Sequence, residues 1–366
     1  MSSDFKPRYS ENSSSLWTPF ATGVFPLSTQ MIFQLDADYT ASFVTGAGNF
    51  LTSATDNVQD IEFGPRDPSD FRTYPIYASQ SMEAYIGNRP TIWFWEENVR
   101  YSPNTALTGA VADFSAINFP ADNDDRSVFF VLRVNSTRIF APDPNSIWQY
   151  GVNLSNAAYG FGLKQTGTVE NLPPSGDFRT SETASAQLMQ GGGFKDFVSG
   201  SGVLITQSPT GAFGAVADIW YMFHSSSSTG SVQRNGGSDQ YLYSASLDTM
   251  TSSFGANAPG IVIGDGINAG YNGDYVIGEM LILDGVPSEQ DQQRIEGYLA
   301  WKWDLTGSLP VSHPFYDTQP TNNDGVLSFT FAESNVAPQI TSTTGTFKVN
   351  REGGFGALTA TIQFTG

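Results

Sequence analysis

The chain has 366 residues, 39% of them hydrophobic and 13% aromatic, which is enough to bury a core, while only 14% are charged. A formal net charge of -19 argues against nucleic acid as a partner, because a phosphate backbone is held by basic patches. With no cysteine and two histidines, the chain excludes disulfides, thiolate zinc sites, cysteine nucleophiles and histidine-rich metal centres.

Gly (37) and Pro (20) are plentiful, so the composition predicts short strands joined by many turns, an all-β class. Residues 1–29 are polar, with Pro7, Pro19 and Pro26 and isolated aromatics at Phe5, Tyr9, Trp17, Phe20 and Phe25. They read as an extended N-terminal arm with aromatic assembly anchors, or as a strap over their own domain. The opening residues lack the apolar core of a secretory signal peptide. An extracellular route would then be lysis or a non-standard one. No window approaches the roughly 18 apolar residues of a membrane span, so no membrane partner is expected.

Met31 to Leu35 is the first strand-like run, and Thr91 to Trp95 is a short buried one. Between them, turn chemistry recurs at Gly46-Ala-Gly48, Gly64-Pro65, Asp67-Pro68 and Gly87-Asn-Arg-Pro90. Asp122-Asn-Asp124-Asp125 clusters the oxygens that a hard cation wants. Asp122, Asp124 and Asp125 are thus a calcium candidate, against the alternative of a solvated loop. Ser127 to Val134 follows as a central strand apolar on both faces. Ile147 to Leu154 and Tyr159 to Leu163 are further strands, and residues 165–200 read as loop-rich, with Pro173-Pro174 and Gly191-Gly-Gly193. Val203 to Gln207, Val216 to His224, Ser231 to Arg234, Tyr241 to Tyr243 and Gly260 to Gly264 resume the strand pattern, with a serine run at 225–228 as a hairpin loop.

Residues 273–314 are the richest stretch. Tyr275 to Leu283 is a continuous apolar run, suited to a strand buried on both faces, and Asp284-Gly285 is a turn. Ser288 stands where a helix N-cap belongs, with Asp291 three residues on as an Asp variant of the capping box. Ile295, Tyr298, Leu299 and Lys302 fall at helical spacing, the Lys302 stem being able to cover apolar surface. Gly307, Pro310 and Pro314 close the helix. After Pro320 come three more strands, Val326 to Phe331, Gly345 to Asn350 and Leu358 to Phe364. The last alternates cleanly, with Leu358, Ile362 and Phe364 on one face as further assembly candidates. Three strands without a disulfide or metal are marginal alone. The tail is expected to pair with its own domain, with the arm or with neighbouring subunits.

The 273–314 stretch resembles the concanavalin A-like (laminin-G-like) jelly-roll domains of bacterial and phage surface proteins. The resemblance rests on Gly273-Asp274, Glu279, Asp284, Ser288-Glu289, the run from Arg294 to Trp303 (RIEGYLAWKW), Leu305 to Pro310 (LTGSLP) and His313-Pro314. Weaker support comes from Gln34 to Asp38, Asn88 to Thr91, Ser127 to Arg133 and Asp218 to Met222. It covers roughly residues 30–316 and implies a two-sheet antiparallel jelly-roll sandwich with one side helix. The arm (1–29) and a small β tail (317–366) lie outside it. Such domains serve as carbohydrate-binding modules, hydrolases, adhesins and structural units, so the fold does not give the function.

Glycoside hydrolysis needs two carboxylates across a sugar ring. Hydrolases of this fold carry them on one strand, as Glu-x-Asp-x-x-Glu or close to it, and no such run occurs here. Glu279 and Asp284 fall on opposite faces of their strand. His313 reads as a packing or hydrogen-bonding residue, and His224 ends a strand without an obvious partner. No nucleophile elbow, Walker loop or His-Glu-x-x-His motif is present. The expected function is therefore a non-enzymatic structural protein at a virion surface, a bacteriophage capsid decoration or tail-associated protein made without a signal peptide. Its expected partners are other virion proteins such as the major capsid protein, and its own copies, with a trimer favoured. The alternative is a carbohydrate-binding module or adhesin that takes surface glycans. That reading needs exposed aromatics, whereas Trp93, Trp95, Trp148 and Trp220 lie in strand-like runs suited to a core. No cofactor is expected beyond the calcium candidate.

Overall fold

The computed structural model describes residues 30–70, 73–78, 86–94, 107–109, 120, 124–136, 145–151, 158–166, 183–190, 193–196, 204–206, 217–227, 229–237, 239–244, 261–264, 274–320, 326–331 and 347–352. The chain divides into one unit of Ser28–Gln319 and a second of Met1–Leu27 with Pro320–Gly366.

In the larger unit the strands run, in chain order, β1 (Gln30–Asp36), β2 (Phe43–Thr45), β3 (Leu51–Thr55), β4 (Glu62–Pro65), β5 (Ile76–Ala78), β6 (Thr91–Phe94), β7 (Leu107–Gly109), β8 (Arg126–Ser136), β9 (Asn145–Gly151) and β10 (Ala158–Thr166). They continue as β11 (Thr183–Gln190), β12 (Gly193–Asp196), β13 (Leu204–Thr206), β14 (Asp218–Ser225), β15 (Thr229–Arg234), β16 (Asp239–Ser244), β17 (Ile261–Ile263) and β18 (Asp274–Asp284), followed by helix α1 (Glu289–Lys302). One sheet has the order β16-β15-β14-β8-β18-β6-β5, with β1 also on β18. The other has the order β12-β11-β10-β9-β17-β7-β4-β3-β2, with β13 on β11. The paired strands are antiparallel, so the class is all-β with a single α-helix among the described residues. That helix is too short and too polar to cross a membrane.

Alternation along the central strands builds three layers. On β8, Phe130 points between the sheets, where its ring lies 4.9 Å from Phe161 and 6.2 Å from Trp148 of the opposite sheet. Phe33 of β1 meets Phe63 of β4 in the same layer, 5.8 Å away. The other parity faces the helix, with Phe129 stacked on Tyr221 at 4.4 Å. Every residue from Tyr275 to Leu283 is buried, because β18 carries the sandwich core on one face and the helix on the other.

The helix begins as its sequence predicts. Ser288 Oγ accepts from Asp291 N at 3.2 Å and donates to Asp291 Oδ2 at 2.9 Å. It ends earlier than the Gly307 signal suggests. Trp303 is the C-cap, and Asp304 takes the left-handed conformation at φ 57. Leu305 N then reaches back to Ala300 O at 2.7 Å. Residues 165–200, expected to be loop-rich, also hold β11 and β12. Their Ser-, Ala- and Gly-rich sequence is a weak strand former, and pairing from Tyr159↔Gln190 to Thr166↔Thr183 against β10 overrides it.

In the smaller unit, β19 (Val326–Phe331) and β20 (Phe347–Glu352) form an antiparallel pair from Val326↔Glu352 to Phe331↔Phe347. The expected third strand with Leu358, Ile362 and Phe364 lies outside the described residues, as do Phe5, Tyr9, Trp17, Phe20 and Phe25.

Candidate functional site

The motif-bearing stretch converges on a buried ionic cluster between β18 and α1. One edge of β18 pairs with β8, while the other is shared end to end. Tyr275–Ile277 pair with β6, and Glu279–Asp284 pair with β1. The register with β8 slips between Ile277 and Met280. Gly278 and Glu279 sit at this irregularity, the kind of place where a strand re-aims a side chain. Ala37 N donates to Gly278 O at 2.9 Å and closes the seam.

Glu279 is wholly buried and takes four donors. Gln34 Nε2 at 2.8 Å and Tyr298 OH at 3.0 Å reach Oε1. Lys302 Nζ at 2.8 Å and Trp303 Nε1 at 3.1 Å reach Oε2. The ammonium of Lys302 has three protons to place. Besides Glu279 it meets Asp36 Oδ2 at 2.5 Å and Tyr298 OH at 3.1 Å. Arg89, from the Gly87–Pro90 turn, donates its Nε to Lys302 O at 2.5 Å and pairs through Nη1 with Asp38. Burial, and then the charge of Glu279, push the Asp36 carboxyl up to about 7 against the pull of Lys302. Burial likewise drives the Tyr298 phenol well above its ordinary range, so it stays protonated and donates. Beyond the stem that the sequence lets cover apolar surface, the Lys302 amine itself is buried in the cluster, paired with two carboxylates.

A second polar centre lies inside the sandwich. Arg126 opens β8 with no exposed surface. Its Nε donates to Asp124 O at 3.0 Å, and its Nη1 donates to Pro120 O at 3.2 Å and Tyr150 OH at 3.0 Å. The guanidinium lies 5.3 Å from the Tyr159 ring centroid. His224 is the cross-strand partner of Arg126 and meets the Tyr159 ring edge-on at 6.3 Å. Burial and the neighbouring Arg126 charge lower the His224 imidazole to about 4, so it is neutral at pH 7. His313 is buried as well, with Nε2 3.3 Å from Glu296 Oε2, which matches a hydrogen-bonding role.

Of the calcium candidates, Asp124 and Asp125 are exposed, and Asp122 lies outside the described residues. Asp125 Oδ1 is occupied by Ser226 N at 2.5 Å. No three acidic or metal-ligating side chains among the described residues are grouped to hold an ion. Trp148 and Trp220 are core residues, Trp93 is half-buried, and Trp95 falls outside the described residues. Tyr39 is the one aromatic among the exposed large apolar side chains described, beside Val44, Val58 and Val311. Glu279 and Asp284 do not form an acid–base pair across a cleft, since Glu279 is sealed under the helix and Asp284 is at the exposed end of β18.

No family model and no curated protein matches this chain. Among solved structures, it is similar over 69% of its length to 51% of an arabinofuranosidase complexed with arabinofuranosyl-α-1,2-xylobiose, at 9% identity and a TM-score of 0.40. It is similar over 73% of its length to 51% of the botulinum neurotoxin serotype D binding domain, at 12% identity and a TM-score of 0.40. A carbohydrate esterase from the Shiga toxin-encoding bacteriophage phi24B is covered in full by 71% of this chain, at 10% identity and a TM-score of 0.35. The chain thus spans about half the length of the first two. At these scores the likenesses assign neither a fold family nor an activity to this chain.

Sequence reasoning picked out Glu279 and the helix but missed the roles of Gln34, Asp36 and the Lys302 amine. One signal could have found them. Gln34 and Asp36 stand on the same parity of a strand flanked by apolar residues, and Lys302 stands in the apolar stripe of the helix. Polar groups on buried faces need each other.

Proposed function

We propose that this chain is a non-enzymatic structural protein of a virion surface, a concanavalin A-like sandwich on a bacteriophage capsid or tail. The observation that carries this reading is the state of Glu279. The acid in its most motif-rich segment is fully buried and saturated by four donors, as a clamp between sheet and helix requires and an acid that must reach a bound substrate does not. His224 and Arg126 likewise face inward. The scarcity of exposed aromatics among the described residues favours this reading over a glycan-binding platform. In this proposal the arm and the β tail carry the assembly contacts, through Phe5, Tyr9, Trp17, Phe20, Phe25, Leu358, Ile362 and Phe364. They join copies of the chain, as a trimer, to one another and to the major capsid protein.

Light scattering coupled to size exclusion on the full chain, with a glycan array on the same preparation, tests the proposal. A stable trimer that leaves the array blank supports it. A monomer that binds a defined glycan overturns it in favour of a carbohydrate-binding module.

A further inference from the structure

We propose that Lys302 and Asp36 join covalently as an intramolecular isopeptide bond, with Glu279 moving the protons. The inference rests on the geometry of the cluster and is independent of any virion role.

The reacting groups are already in contact. Lys302 Nζ lies 2.5 Å from Asp36 Oδ2, so the carboxyl carbon is within the reach that a positioned nucleophile needs. Side-chain exposure is 1% at Lys302 and 6% at Asp36. The Tyr298 and Trp303 rings lie 5.5 Å from Nζ and wall it off from water. An ammonium and a carboxylate taken out of water each carry a desolvation penalty. An amide removes both charges and releases water to bulk, so the dry interior that disfavours the ion pair favours the bond.

The atoms balance without any co-reactant. Nζ attacks Cγ of Asp36, a C–N bond forms and one C–O bond breaks. The departing oxygen leaves as water with two of the three ammonium hydrogens, and the third stays on the amide. No electrons are exchanged. Glu279 Oε2, 2.8 Å from Nζ, accepts a proton as attack proceeds and returns it to the leaving oxygen. Trp303 Nε1 donates to the same Glu279 Oε2 at 3.1 Å and holds that carboxylate in place.

The product would tie the end of β1 to the last turn of α1. These residues are 266 positions apart, so the bond would close a loop across most of the larger unit. In a chain without cysteine it would restrict the unfolded state as a disulfide does.

Intact-mass measurement of the denatured full chain, followed by tandem mass spectrometry of its digest, tests the proposal. The expected result is a chain lighter than its sequence by one water, with a branched peptide joining Lys302 to Asp36. Lys302→Arg should restore the full mass, and Glu279→Gln should slow bond formation by roughly 10²–10⁴-fold. Should either variant fail to fold, the wild-type mass and map still decide. A wild-type chain at full mass overturns the proposal. So does a water loss that maps to the Asp284-Gly285 turn as a succinimide, or a branch at Glu279 instead of Asp36.

Discussion

Trp303 and Gly278 are in direct contact. A Cβ added to Gly278 would fall 2.9 Å from Cη2 and Cζ3 of the indole and 3.0 Å from Cδ2. The ring cannot swing away without giving up its bond to Glu279. Gly278→Ala is therefore expected to overpack the seam and lower stability by about 1–3 kcal/mol, read as a lower urea midpoint. Gly297→Ala should behave alike, since its Cβ would meet Phe315 Cβ at 2.6 Å. Unchanged midpoints would mean that Trp303 and Phe315 yield to the added methyl groups and that neither contact is tightly packed.

His224 gives the fold a pH dependence with a definite sign. Its native imidazole titrates at about 4, against an ordinary 6.5. As pH falls through 6.5 the unfolded chain takes up a proton that the native state refuses. The stability that His224 contributes is thus complete above 6.5, shrinks between 6.5 and 4, and is gone below, up to about 3 kcal/mol in all. Asp36 acts in the opposite sense. Raised to about 7 from 3.8, it contributes stability at low pH that is lost as pH rises through 7. A cross-linked Asp36 would have no proton to exchange, and that opposing slope would vanish. Comparison with His224→Gln isolates the histidine. The stability gap between wild type and variant should narrow from pH 7 to pH 4.5, and a constant gap would contradict the assignment.

Arg126 is a structural cation. Arg126→Leu removes the donor to Tyr150 OH and to the Pro120 carbonyl, both buried bonds, and to the Asp124 carbonyl at their edge. The expected loss is about 3 kcal/mol in equilibrium unfolding. Arg234→Ala is the control. Its pair with Asp218 is 3.9 Å long and partly exposed, so its loss should stay below about 1 kcal/mol.

Much of this architecture was legible in the sequence because local signals agreed with the tertiary outcome. The apolar run from Tyr275 to Leu283, the Ser288 cap and the alternating Phe129 and Phe130 each specify their own surroundings. Strands β11 and β12 were not legible, because their small polar residues become strands only by pairing with β10. The ionic cluster was half legible. Glu279 stood out in an apolar run, but only the register Asp36↔Glu279 and the return of α1 over β18 bring Asp36, Lys302 and Gln34 to it. Side chains far apart in sequence meet through topology, which no local pattern records.

In the proposed function Glu279 is a clamp and not a reagent for a substrate. Equilibrium urea unfolding of Glu279→Ala beside the wild type tests it most directly. The substitution strands Lys302 beside Asp36 alone and leaves Gln34, Tyr298 and Trp303 without their acceptor. A loss of about 3–5 kcal/mol is predicted, as for a broken buried pair. A variant that unfolds at the wild-type midpoint would contradict the account.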